Sequence, residues 1–303
     1  MILCCGESLI DMLPRETTLG ESAFAPHTGG AVYNTAIALG RLGAPAGYFG
    51  GLSRDLFGQL LEADLTASHV DSSLAPRSDN PTTLAFVTLK DGHATYAFYD
   101  ENTAGRMMDP ADLPALPEAL TTLFFGGISL VSEPCADTYA ALASREATNR
   151  LIMIDPNIRP GFIRDAARYR ARLDAMIALT DIVKVSDEDL EWLTGGTDPQ
   201  ALIDQGVGVV LMTRGAQGVL ALSAKGSLDL PTEKAKVVDT VGAGDTFNAG
   251  MLAGLHQSGL ADKAAFAAAD LDALKPAIEL GMRAAAITVS RAGANPPWSH
   301  ELA

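Results

Sequence analysis

From residue 123 onward, short apolar runs alternate with longer amphipathic ones, and this alternation restricts the available folds more than any other feature. Runs of strand length lie at 123–125, 151–154, 182–185 and 207–213, and helices are expected between them at 136–148, 166–178 and 187–193. Strands separated by helices of this length build a parallel sheet through right-handed crossovers. The same pattern holds upstream, with a buried strand at 2–5, a helix over 31–42 that stops at Gly43, a strand at 46–51 and a helix at 54–66. The stretch 246–290 reads as Ala-rich helix broken near Pro276.

Two stretches depart from the alternation. Residues 82–89 and 94–99 flank Asp91-Gly92, the dipeptide of a tight hairpin. Residues 218–222 and 227–231 flank Lys225-Gly226 in the same way. A hairpin inserted into a strand–helix chain predicts a small β flap outside the main sheet, with lid segments at 12–26 and 82–100. No repeat, low-complexity tract or long linker divides the sequence. One α/β domain over 1–303, with a mostly parallel sheet and a flap, is therefore expected.

Composition narrows the partners. The net charge of −15, from 22 basic and 37 acidic residues, argues against nucleic acid or an anionic membrane, which need a basic face. A small anionic ligand needs only a local positive site. The three cysteines form no C-x-x-C pair, and adjacent Cys4 and Cys5 in an apolar strand read as buried small hydrophobes. The five histidines are too scattered for a zinc site. No basic leader precedes the first strand, and no segment approaches the roughly 18 apolar residues of a membrane span. The cytoplasm is the expected location.

The chemistry concentrates in a few stretches. Val237 and Val238 lead into a turn with Gly242, Ala243 and Gly244, followed by a helix over 246–256. Bare amides at a helix mouth attract an anion. Asp245 lies inside this anion-friendly turn, where it either caps the helix or serves as a base beside a phosphate. Asp155-Pro-Asn-Ile-Arg159 follows a strand, at the sheet edge where ligands of parallel sheets bind, together with Asp11 and the loop after Val238. Asp155-Pro156 also fits a turn opener, and Arg159 a solvated charge. Lys184-Val-Ser-Asp-Glu-Asp189 opens a helix; Ser186 and Asp189 fit a capping box, while a carboxylate there could orient hydrated Mg²⁺. Gly215 and Gly218, after Thr213, fit either a plain loop or a turn that admits a flat base. Gly29-Gly30 precedes Asn34, a poor helix former that suggests a polar duty such as a sugar hydroxyl. No P-loop motif occurs, and the dinucleotide fingerprint fails at Phe247.

Taken together, Asp239-Thr-Val-Gly-Ala-Gly-Asp-Thr-Phe-Asn248 and Gly29-Gly30 with Asn34 closely resemble the signatures of the PfkB, or ribokinase-like, sugar kinase family. The resemblance spans nearly the whole chain, and Asp155–Arg159 and Lys184–Asp187 look most similar to fructokinases and 2-keto-3-deoxygluconate kinases. It implies a three-layer α/β/α fold and ATP-dependent phosphorylation of a sugar's terminal hydroxymethyl, with Mg²⁺ and a K⁺-type monovalent ion. Asp245 would be the general base, and the backbone of Gly242, Ala243 and Gly244 the anion hole, with Arg159 near the reacting groups. Asp11, Gly29, Gly30, Asn34, Phe98 and Asn157 would meet the sugar. Lys184, Thr213, Gly215, Gly218 and Asn248 would serve the nucleotide. Asp189 would hold Mg²⁺ through water, and Asp239, with the chain at 290–293, the monovalent ion. A homodimer through the lid is also implied.

Two departures matter. The family's N-x-x-E element falls on Ser186-Asp-Glu-Asp189, and the Tyr-Tyr-Arg element of acid-sugar kinases reads Phe98-Tyr-Asp100. An Asp facing a substrate carboxylate would repel it, which favours a neutral sugar, fructose first. The alternatives are 2-keto-3-deoxygluconate kinase, a ribose or nucleoside kinase, and a non-catalytic sugar or nucleotide sensor; loss of the base would mark the sensor, and Asp245 is present.

Overall fold

The computed structural model describes residues 1–90, 93–232 and 235–302. The first third of the chain forms β1 (Ile2–Cys5), β2 (Leu9–Glu16), β3 (Ser22–Gly29), α1 (Ala31–Arg41), β4 (Ala46–Phe49), β5 (Leu52–Ser53), α2 (Leu56–Ala67), β6 (Val70–Asp71), β7 (Arg77–Ser78), β8 (Leu84–Lys90) and β9 (His93–Tyr99). Next come β10 (Thr122–Gly126), α3 (Cys135–Glu146), β11 (Leu151–Asp155), α4 (Ala166–Ile177), β12 (Ile182–Ser186), α5 (Asp187–Thr194), α6 (Gln200–Ile203) and β13 (Val209–Thr213). The chain ends with β14 (Val219–Ser223), β15 (Gly226–Leu230), α7 (Ala243–Gln257), α8 (Lys263–Ala268) and α9 (Leu271–Val289).

The main sheet runs in the order β15-β14-β13-β12-β11-β10-β1-β4-β6. Pairing is parallel from β13 through β6, and the β14–β15 hairpin adds antiparallel strands at one edge. The strand order turns at β1: the chain runs outward to β4 and β6, then returns to place β10 on β1's other side. Such a switch point leaves a crevice beyond the strands' carboxyl ends.

Alternation along β1 divides the core. Ile2 and Cys4 pack with residues of α1, α2, α7 and α9, whereas Leu3 and Cys5 pack with α3, α4, α5 and α6. The two cysteines thus point to opposite faces as fully buried free thiols, in keeping with their expected role as small hydrophobes. On the first face α7 and α9 approach closely, since a Cβ on Gly250 would lie 2.6 Å from the Gly281 Cα and one on Gly254 2.4 Å from the Ala277 Cα. Glycine keeps the two backbones in contact.

The lid is a separate sheet in the order β3-β2-β8-β9. The Asp91-Gly92 turn expected between β8 and β9 lies outside the described residues. Asp11 pairs with Ala85 and Ala85 with Phe98, so these three residues form one row across the lid. Because such a row shares a face, Asp11 and Phe98 project on the same side of the lid.

Val237 and Val238 lie exposed in the loop that leads into the turn. Two expectations are corrected. Asp11 lies on lid strand β2 rather than at the main sheet's edge, because β1 ends at Cys5. The helix is not broken at Pro276, which sits inside α9. The carbonyl that Pro276 leaves without an N–H belongs to Asp272, in the first turn, where the loss is tolerated. The interruptions fall instead before Lys263 and Leu271, where Asp262 and Asp270 accept from the amides of Ala265 and Ala273, each at 2.9 Å. Among the described residues, no helix is long and apolar enough to cross a membrane.

Candidate active site

The site forms where α7 begins. The Val238 amide donates to the Val289 carbonyl at 2.7 Å, and the Gly293 amide to Asp239 Oδ2 at 2.8 Å. These bonds join the 239 loop to the 290–293 segment, the two pieces expected to act together. Gly242 is the N-cap, with φ 77°, and a Cβ there would stand 2.7 Å from the Ala294 Cβ. Only glycine fits this left-handed, crowded position. Gly242 and Gly244 line the cleft, whereas the Ala243 amide turns to the Thr240 carbonyl at 3.3 Å.

Asp245 is not the cap. It lies in the first turn of α7, and its Oδ2 accepts from Asn34 Nδ2 of α1 at 2.9 Å. Burial raises its pKa from 3.8 to about 7, with Asp155 reinforcing the rise and the Asn34 hydrogen bond and Lys184 opposing it. A carboxyl on the cleft wall that titrates near neutrality is suited to proton transfer. Asn34, expected at the sugar, gives its amide to this carboxylate instead.

Beneath Asp245 lies a buried polar floor. Asp155 Oδ2 accepts from Lys184 Nζ at 3.0 Å and from Asn248 Nδ2 at 2.8 Å, so the ends of β11, β12 and the α7 helix meet at one oxygen. Desolvation pulls the Lys184 pKa down, but Asp155 outweighs it and the net shift is upward, which keeps the ammonium charged. Asp155 Oδ1 and Asn248 Oδ1 are buried acceptors with no protein partner. Such orphans call for a donor or cation from a ligand or solvent.

Asp189 is placed away from this floor. It forms the capping box with Ser186, and its Oδ1 accepts from the Ile158 amide at 2.8 Å. Its carboxylate therefore anchors the root of the 155–159 turn, and among the described residues no cluster of three or more His, Cys, Asp or Glu is arranged to hold a metal.

A cleft of about 890 Å³ connects these groups to the lid. Asp11, Gly30, Phe98, Asn157, Arg159, Lys184 and Asp245 line it together with Gly242 and Gly244, half of the residues expected at the site. Burial raises the Asp11 pKa to about 6. Gly29 carries no side chain because Asp11 Oδ2 stands 2.5 Å from where its Cβ would be. Thr213, Gly215 and Gly218 lie outside the cleft, at the end of β13, where Thr213 Oγ1 donates to the Val185 carbonyl at 3.3 Å. A Cβ on Gly218 would fall 2.0 Å from the Leu230 carbonyl oxygen, so that glycine serves the turn itself.

Several lining residues escaped the sequence reading. Glu7 is half-buried just beyond β1, and desolvation raises its pKa; its Oε1 accepts from the Ala31 amide at 2.9 Å and its Oε2 from the Ser129 amide at 3.3 Å. Its position directly after the first strand was the available signal. Asp100, expected as a repelling charge, forms an ion pair with Arg106 at 2.9 Å. That pairing removes the repulsion, and nothing in the local sequence indicated it. Phe162, which meets Phe98 across the cleft, was missed as well. Tyr99, between Phe98 and Asp100, faces outward and is 62% exposed.

Comparison with known proteins covers nearly the whole chain. The family described as "pfkB family carbohydrate kinase" matches residues 1–301. A fructokinase of Rhizobium leguminosarum bv. trifolii is 52% identical over 279 residues, covering 91% of this chain and 86% of that protein. A fructokinase of Klebsiella pneumoniae is 31% identical, covering 95% and 93%. The crystal structure of a fructokinase of Xylella fastidiosa with bound ATP superposes with a TM-score of 0.88 at 28% identity, covering 99% of this chain and 96% of that one.

Proposed function

The chain belongs to the pfkB family of carbohydrate kinases, and from this premise we propose that it is a fructokinase, transferring the γ-phosphoryl group of ATP to the terminal hydroxymethyl of fructose. One observation carries the chemistry: a buried carboxylate, held by Asn34 and titrating near neutrality, stands in the first turn of a helix whose glycine mouth opens on the cleft. The sugar hydroxyl gives its proton to Asp245 as its oxygen bonds to the γ-phosphorus, and the bond to the β-phosphate oxygen breaks to release ADP. Phosphoryl transfer asks the protein mainly for positioning and charge stabilisation. Gly242 and Gly244 would provide the anion hole at the transferring group, with the Ala243 amide joining once it leaves the Thr240 carbonyl.

Sugar hydroxyls would meet Asp11, Gly30 and Asn157, with Arg159 at the reacting end and Phe98 over the ring. Thr213, Gly215 and Gly218 would support the nucleotide, entering from the β13 side. Bound Mg²⁺ would supply neutralisation of phosphate charge, and the unpartnered Asp155 Oδ1 is a suitable acceptor for one of its waters. Asp189 would then contribute only by anchoring the turn that carries Asn157 and Arg159. Asp239, through its loop to Gly293, would hold a monovalent ion. The lid's outer face, with Phe24, Phe86 and Tyr99 in edge contacts, supports a second copy as the dimer partner.

A second substrate is favoured by one observation. With Asp100 neutralised by Arg106, a carboxylate is no longer repelled from the cleft, so 2-keto-3-deoxygluconate competes with fructose. A coupled assay with ATP and, in turn, fructose, ribose, 2-keto-3-deoxygluconate and adenosine decides. The highest kcat/KM is expected on fructose, and activity confined to the acid sugar would overturn the assignment.

A further inference from the structure

We infer that Phe162 is a positioning residue: it is the seat on which the lid docks, and that contact sets the 159–162 turn and the lid's sugar-facing row against each other. The inference rests on the kinase reading and adds to it a residue that touches neither the reacting groups nor the nucleotide turn.

The 155–162 segment is firm at its root and loose at its tip. At the root, Asp155 is held by Lys184 and Asn248, and the Ile158 amide by Asp189. Beyond it, Arg159 is exposed, with its guanidinium donating to the Ile158 carbonyl at 3.0 Å, and Gly161 has open space around its Cβ position. The tip closes in a short 3₁₀ turn, Pro160–Phe162, with the Phe162 amide on the Arg159 carbonyl at 2.9 Å. Pro160 restricts that turn to few conformations. Arg159 and Phe162 therefore move together.

What Phe162 meets is the lid. Its ring lies edge-on to Phe98, with centroids 4.3 Å apart and planes at 70°. Tyr96, two residues along β9, stacks with Phe98 at 5.9 Å and 22°. Tyr96, Phe98 and Phe162 all line the cleft, so the contact bridges the two walls across it. Phe98 shares its row with Ala85 and Asp11, which ties the aromatic contact to the carboxylate expected on the sugar. When the rings meet, Asp11 and Arg159 come to face each other from opposite walls. When they part, both sugar contacts lose their alignment together and water enters beside the phosphate.

The test uses Phe162→Ala, Phe98→Ala, the double variant, and Phe162→Leu as a shape-conserving control. In the unliganded protein, hydrogen exchange across β9 should rise in Phe162→Ala as it does in Phe98→Ala. Unchanged exchange would overturn the inference whatever the enzyme phosphorylates. In turnover, each alanine variant should raise the sugar KM about threefold to tenfold, the reach of one edge-to-face aromatic pair. kcat should fall less, and the double variant should be no worse than the poorer single. ADP release should exceed sugar phosphate formed, and Phe162→Leu should recover most of the coupling. Additive KM effects with strict one-to-one stoichiometry would refute the docking role while leaving the kinase reading intact. Failure of the wild type on every sugar would sink the kinase reading instead, with the exchange experiment still deciding the docking.

Discussion

Asp245→Asn separates the base from everything else at the site. The amide keeps the carboxylate's shape and an oxygen to accept from Asn34 Nδ2, so the junction between α1 and α7 should survive. A positioned general base contributes about 10²–10⁴-fold, and turnover should fall by that factor while the sugar KM stays within about threefold. Moving this carboxyl from 3.8 to about 7 corresponds to about 4 kcal/mol against the charged form. Two pH effects follow. In the wild type, log kcat should rise with unit slope toward about pH 7 and level off above it. Stability should behave in the opposite sense: because the folded carboxyl binds its proton more tightly than the unfolded one, folding stability is lost as pH rises from about 4 to about 7. The variant, which has no charge to bury, should unfold at a higher temperature than the wild type at pH 8 and converge with it below pH 4. Coupled-assay kinetics from about pH 5.5 to 8.5 and calorimetry from about pH 3.5 to 8.5 test both effects. A variant that keeps more than a tenth of wild-type turnover, or a flat wild-type profile, would refute the reasoning.

Asn34→Ala removes the hydrogen bond that holds the Asp245 pKa down. A bond to a charged group is worth about 1.5–3 kcal/mol, so the acidic limb of the kcat profile should move up by about one to two pH units; an unmoved limb would place the control of Asp245 elsewhere. Lys184→Met leaves Asp155 as an uncompensated buried charge and should cost about 3–5 kcal/mol in urea unfolding at pH 7. A loss below about 1 kcal/mol would mean that Asp155 finds another partner.

The parts legible in the sequence were those whose partners lie nearby in the chain. Apolar period gave β1, β4, β10, β11, β12 and β13 to within a residue or two but missed the two-residue β6, and the Ser186–Asp189 box emerged as a local cap. Gly242 was readable because a helix mouth needs that conformation. What escaped depends on contacts between distant segments. No local pattern announces that Asn34 donates to Asp245, 211 positions away, or that Arg106 neutralises Asp100. Asp11 was drawn to the wrong sheet because a three-residue break between β1 and β2 leaves almost no signal of its own. Pro276 misled for a related reason: its cost depends on its distance from the helix start, and that start is marked by Asp270, which caps without any change in composition.

The bare seam between α7 and α9 has a consequence for how this protein can change. Gly250 and Gly254 lie on the helix that also carries Asp245 and Asn248, and they rest on the backbone of Gly281 and the Cα of Ala277 with no side chain between. A helix braced in this way acts as a fixed jaw, so adjustment to a differently shaped sugar has to come from the lid. One methyl group added at the seam would tilt the whole jaw, whereas many changes at β9 would only reshape the opposite one. Substrate preference can therefore drift through the lid while the proton-accepting end of the cleft stays in register, protected by residues that never meet the substrate.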